Sequence, residues 1–186
     1  MTHTEDRPTP SMPKEQFELL VDLAGKLMDE ARTCASGRTW RGALILLGCS
    51  MEASLLAMGG CLEIDLREAG HWPTTPRLGQ PTNWSLTTLI AVARKAGWVE
   101  TTLPLNSWAA NPSEALAGGV GDAVDFIRLL RDAFAHPGRH VRELPWLDSA
   151  DERVMRPTYE VAEGILGTLF ERLSTVWESL EPRGDT

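Results

Sequence analysis

Ala43 to Leu62 reads ALILLGCSMEASLLAMGGCL, a run in which Glu52 is the only charged residue. An apolar helix of this length is long enough to span a bilayer. Glu52 sits at its middle, however, beside Ser50 and Ser54. A central acidic group costs roughly 2.5–3.5 kcal/mol on insertion scales. The cheaper solution is a helix surrounded by other helices, with a partner supplied for the carboxylate. The run therefore predicts a helix over about 39–66 at the centre of a bundle.

The flanking sequence supplies the helices to surround it. Phe17, Leu20, Val21, Ala24, Leu27, Met28 and Ala31 recur at helical spacing and predict a first helix over roughly 14–35. Ala162, Ile165, Leu166, Leu169, Phe170, Leu173, Val176, Trp177 and Leu180 predict a last one over roughly 158–180. Ser85 has the character of an N-cap before LTTLIAVARKAG, with Gly97 as the stop. A fourth helix is expected over about 121–136, ended by Pro137 and Gly138. Two Pro-rich stretches, GHWPTTPRLGQPTN and TTLPLNSWAANPSEA, read as loops, and no pair of alternating strands is visible. The expected fold is all-α, an up-and-down bundle of four to five helices.

With 186 residues and 42% apolar content, one domain has enough material for a core. The expected organisation is a flexible tail over 1–13, a helical domain over 14–181 and a short tail over 182–186. No secretory leader is legible at the N-terminus. Cys34, Cys49 and Cys61 form no CxxC pair and lie in helical stretches, which reads as reduced thiols in a cytoplasmic protein. A net charge of −8 argues against non-specific nucleic-acid binding over the whole surface, yet leaves room for a local basic site.

Such a site is visible in FIRLLRDAFAHPGRHVRE, Phe126 to Glu143, with four arginines and two of the four histidines of the chain. At 100° per residue, Ala123, Phe126, Ile127, Leu130, Ala133 and Phe134 share one side of the helix. Arg128, Arg131, Asp132 and His136 share the other, and Arg139, His140 and Arg142 follow. Guanidinium groups match phosphate oxygens and can stabilise the charge of a pentacoordinate phosphorus. Imidazole exchanges protons near neutral pH, and a neighbouring carboxylate can orient it. Asp132 and His136 are i, i+4 neighbours and can meet. RNA brings its own nucleophile, the 2′-OH, so this set needs neither a metal nor a protein nucleophile. The same polar face is also what a solvated helix surface with one exposed ion pair looks like.

RDAFAH, Arg131 to His136, resembles the R-x4-6-H signature of HEPN domains, in which the residue after the Arg is commonly polar, here Asp132. LLRDAFAHP is similar to the family's LRNxxAHP form. NWSLTTLIAVARKAGWV, Asn83 to Val99, looks like the helix that precedes the motif in bacterial HEPN groups. The resemblance implies an all-α HEPN-like bundle and a metal-independent endoribonuclease of a toxin–antitoxin or anti-phage system. It implies a homodimer whose two motifs line one cleft, RNA as substrate, and an antitoxin or defence-system partner. Carried over by position, Arg131 and His136 are catalytic and Asp132 supports them. Arg128, Arg139 and His140 are added on charge alone, as phosphate contacts; Glu52 is either a buried carboxylate supporting the site, with Arg131 or Arg128 as its partner, or a partly exposed residue with no role. A non-catalytic HEPN-like module that binds RNA, a nucleotide or a partner protein is the alternative.

Other patterns carry less. His136 and His140 have an H-x3-H spacing, but Pro137 and Gly138 break the helix that a zinc pair would need, so no metal or cofactor is expected. Trp72, Trp84, Trp108 and Trp146 lie in or beside loops, where they either stack on bases or pin the loops to the core.

Overall fold

A computed structural model describes residues 12–74, 78–99, 122–135 and 152–180. These form six α-helices and one 3-10 turn, with no strand among the described residues: α1 (Lys14–Ser36), α2 (Trp40–Cys61), α3 (Glu63–Glu68), α4 (Leu86–Lys95), α5 (Ala123–Ala135) and α6 (Glu152–Leu180). The turn covers Pro81–Asn83. The protein is thus an all-α bundle.

α2 packs against α1, α4, α5 and α6. Ala43, Leu44, Leu47, Met51, Leu55, Ala57 and Met58 are buried on several sides of it. A helix apolar nearly all round has nowhere else to go than the middle of the bundle. α2 is long and apolar enough to cross a membrane by length and composition, and its burial among the other helices accounts for that composition.

The contacts fix the directions. The turn at 37–39 folds α1 back on α2, and the buried Ser50 hydroxyl donates to the Ala24 carbonyl across the pair at 2.8 Å. Phe17 of α1 stacks on Trp177 of α6 at 4.3 Å, while Arg32 of α1 meets Glu163 of α6 at 2.7 Å. Low numbers of α1 meet high numbers of α6, so these two run antiparallel. Trp40, at the start of α2, meets Tyr159, near the start of α6, so α2 and α6 run in the same sense.

Three details differ from the sequence expectations. The central helix is not one piece to residue 66: it ends at Cys61 and restarts at Glu63 with Leu62 between. Two consecutive glycines, Gly59 and Gly60, weaken its last turn. The last helix starts at Glu152, six residues early, and carries Pro157 inside it. Met155 and Tyr159 are buried on the same stripe as Ala162, Leu166, Leu169 and Leu173, and that burial outweighs the hydrogen bond lost at the proline. Met12, placed in the expected 1–13 tail, is buried in the core. Trp72 and Trp84, by contrast, fall within what was expected, and both are buried. Their rings meet edge to face at 4.7 Å, Arg67 lies over Trp72, and the Trp84 indole donates to the Leu78 carbonyl at 2.8 Å. Of the two roles open to them, pinning the loop is the one these contacts fit. Trp108 and Trp146, the loop at 101–115 and the C-terminal tail lie outside the described residues.

α4 begins and ends as its sequence suggests. Ser85 Oγ accepts from the Thr88 amide, and Gly97 takes φ +70 just past the last turn. Few residues other than glycine adopt that φ without cost.

Candidate functional site

α5 begins where Asp122 accepts from the Asp125 amide at 2.9 Å, an N-cap. The other Asp122 oxygen is 2.5 Å from Arg94 of α4, which also approaches Asp125 at 3.4 Å. Asp122 is only 6% exposed, and a carboxylate so buried needs partners of this kind. The N-terminus of α5 is thereby tied to the last turn of α4. Val124, Phe126, Ile127 and Leu130 are buried and hold the helix on the core.

Arg131 lies eight residues further along, roughly 12 Å at helical rise. Its Nη2 donates to Glu52 Oε2 of α2 at 2.5 Å, and its Nη1 to Asp132 Oδ1 at 3.0 Å. Arg128 Nη1 stands 3.7 Å from Asp132 Oδ2. Both members of the interhelical pair are half-buried, with 27% and 22% of their side chains exposed. Burial works against the Arg131 charge, but the hydrogen bond it donates to Asp132 and the charges of Glu52 and Asp132 outweigh it, and the guanidinium is held above its ordinary pKa. Arg131 is therefore cationic at any pH the protein meets, and its plane is set by two carboxylates on different helices.

Cys49 completes the cluster on the α2 side. Burial pushes its thiol up, Arg131 opposes this through charge and a hydrogen bond, and Glu52 reinforces it. The thiol is protonated near neutral pH and acts here as a wall.

Of the residues singled out from sequence, Arg128, Arg131, Asp132 and Glu52 are brought together. Glu52 finds Arg131 rather than Arg128. Asp132, expected to orient His136, meets Arg131 and Arg128 among the described residues. His136, Arg139 and His140 lie outside the described residues. The polar side of α5 is also less outward-facing than a helical wheel suggests. Ile127 and Arg131 are i, i+4 neighbours, and both press on α2 at Gly48. The wheel separates polar from apolar; the fold tucks the base of Arg131 into the interface and leaves its head at the edge.

Three contributors were not singled out from sequence: Gly48, Cys49, and the Arg94–Asp122 pair. A legible signal existed for two of them. Gly48 stands four residues before the only charge of the central run, hence on the same face. Asp122 stands three residues before Asp125 at a helix start, the spacing of an N-cap.

Chemically, the described cluster holds two guanidinium and two carboxylate groups, formally neutral. It offers an oriented Arg131 head with N–H groups beyond the two given to carboxylates. Among the described residues, no three His, Cys, Asp or Glu side chains gather as a metal would require. No family model matches the chain, and no curated protein or solved structure is detectably similar to it.

Proposed function

We propose that this protein is a metal-independent endoribonuclease of HEPN type that acts in the cytoplasm as a toxin or anti-phage effector, working as a homodimer under the control of an antitoxin or defence-system partner. The observation that carries the reading is the Arg131 guanidinium, the first residue of the R-x4-H motif, half-buried and oriented by Glu52 from the neighbouring helix. Preorganised donors of this kind act on the charge that develops in a transition state, because they need not reorganise when it appears.

In this reading the 2′-OH of the substrate attacks the adjacent phosphorus. The new O2′–P bond forms as the P–O5′ bond breaks. The 2′ proton passes to a base and the departing 5′ oxygen receives one, leaving a 2′,3′-cyclic phosphate and a 5′-OH. Arg131 stabilises the phosphorane-like transition state. His136 acts as general base or acid, and Asp132, which accepts from Arg131, orients it. Arg128, Arg139 and His140 contact flanking phosphates.

One observation favours a second reading, a non-catalytic module that binds RNA, a nucleotide or a partner protein. The Arg131 and Arg128 charges are matched by Glu52 and Asp132, so an incoming phosphate competes with a carboxylate already present.

The test is cleavage of total cellular RNA in EDTA by wild type, Arg131→Ala and His136→Ala. Defined fragments ending in 2′,3′-cyclic phosphate from wild type alone are expected. RNA retention by wild type without cleavage, weakened in the Arg131 variant, selects the binding module. Neither cleavage nor retention refutes both.

A further inference from the structure

We propose, building on the ribonuclease reading, that Gly48 is a positioning residue for Arg131: bare backbone at this point of α2 sets how closely α5 approaches, and so where the guanidinium stands against Glu52. A Cβ placed on Gly48 meets Arg131 Cβ at 3.1 Å and Ile127 Cγ2 at 3.2 Å. Both distances are shorter than methyl groups tolerate without movement. Neither neighbour can yield by rotating away. Cβ of Arg131 is fixed to the α5 backbone, and Ile127 is buried with only 2% exposed. Relief comes from α5 moving off α2 by a few tenths of an ångström.

The displacement falls where it matters. Gly48 is one turn before Glu52 on α2, and Ile127 is one turn before Arg131 on α5. The two turns face each other, so the Gly48 contact and the Glu52–Arg131 hydrogen bond are adjacent rungs of one interface. That bond is short at 2.5 Å, so a small outward movement of α5 brings it toward ordinary length rather than breaking it, and what changes is where the guanidinium stands in the site. The N-terminal end of α5 remains tied by Asp122 to Arg94, so the helix tilts about that end and the motif end opens. Gly48 is not typical of the helical glycines: a Cβ on Gly25 or Gly164 meets nothing within 4 Å, and the one on Gly60 that does clash meets Met12, away from α5.

Cys49 reports the opening without reference to activity. Its thiol is held up first by burial in this interface, with Arg131 as its neighbour. Opening exposes the thiol to the reagent, and greater exposure speeds alkylation. Cys61, buried and pushed up to about 12 by desolvation, reports global loosening instead.

The experiment uses the full chain as wild type, Gly48→Ala and Gly48→Val, with iodoacetamide labelling of each cysteine followed by peptide mass spectrometry, alongside RNA cleavage kinetics. The expected result is Cys49 labelling faster by about threefold or more in Gly48→Ala at an unchanged Cys61 rate, with kcat down by about tenfold and KM little altered. Gly48→Val moves both further in the same direction. Unchanged Cys49 labelling in both variants overturns the proposal. So does faster Cys49 labelling with kcat intact, since α5 would then have moved without consequence for Arg131. Parallel acceleration at Cys49 and Cys61 also overturns it, by showing a loss of stability rather than a local opening. If wild type cuts no RNA, the ribonuclease reading falls, and labelling alone decides whether Gly48 sets the position of α5.

Discussion

Replacing Asp122 by alanine removes two things that one side chain does. The N-cap to the Asp125 amide is worth about 1 kcal/mol. The pair with Arg94 is harder to value. Truncating one partner of a fully buried pair costs roughly 3–5 kcal/mol. Here the Arg94 side chain is 26% exposed and keeps Asp125 at 3.4 Å, which cuts the penalty to about 1–2 kcal/mol. The sum for Asp122→Ala is about 2–3 kcal/mol. Asp122→Asn retains an oxygen at the cap, where asparagine serves as well as aspartate, and loses only the charge, about 1–2 kcal/mol. Urea unfolding followed by circular dichroism measures both, and at this chain length the alanine variant should melt roughly 5–10 °C below wild type. A cycle with Arg94→Leu should show a coupling of at least about 1 kcal/mol. Equal losses from Asn and Ala, or a coupling within error of zero, would refute the assignment of both roles to Asp122.

Two surface changes test the backbone reading. Gly25→Ala, in the interior of α1 with open space around the new methyl, should stabilise by roughly 0.5–1 kcal/mol, seen as a higher urea midpoint at constant slope. Arg38 adopts φ 56 in the turn joining α1 and α2, and its ion pair with Glu152 is long at 4.0 Å and exposed. Arg38→Gly removes that strain and should be neutral or stabilising by up to about 1 kcal/mol, whereas Arg38→Val should destabilise, as differential scanning calorimetry will register.

What was legible in the sequence divides along physical lines. Helices whose burial follows from periodicity were readable because the 3.6-residue repeat is a local property: Phe17, Ala24, Met28 and Ala31 on α1, or Leu166, Leu169 and Leu173 on α6, are buried as their spacing demands. The limits of α6 were not, since local propensity argues for a start after Pro157 and only the tertiary burial of Met155 argues for an earlier one. Local chemistry likewise announced the Ser85 cap and the Gly97 stop. The Trp72–Trp84 contact joins two loop positions twelve apart, and no spacing rule could state it.

The candidate site shows the same division more sharply. That Glu52 needs a partner follows from its place in an apolar run; that the partner is Arg131, 79 positions away, is decided by how two helices meet. Helical geometry puts Arg128, Arg131 and Asp132 on one side of α5, but the consequence of that grouping depends on α2. Facing water, the three would form a flexible surface network worth little. Facing Gly48 and Glu52, the base of Arg131 is fixed by packing and its head by charge, and Asp132 is drawn back to the two arginines. An arginine held in this way has little orientational freedom left to lose when an anion arrives, which favours binding, while the carboxylates that hold it oppose the same event. Whether the cluster acts as an oxyanion stabiliser or as a structural clamp is therefore set by how much of the Arg131 head remains for a ligand once Glu52 and Asp132 have taken their hydrogen bonds. That quantity is what the position of Gly48 controls.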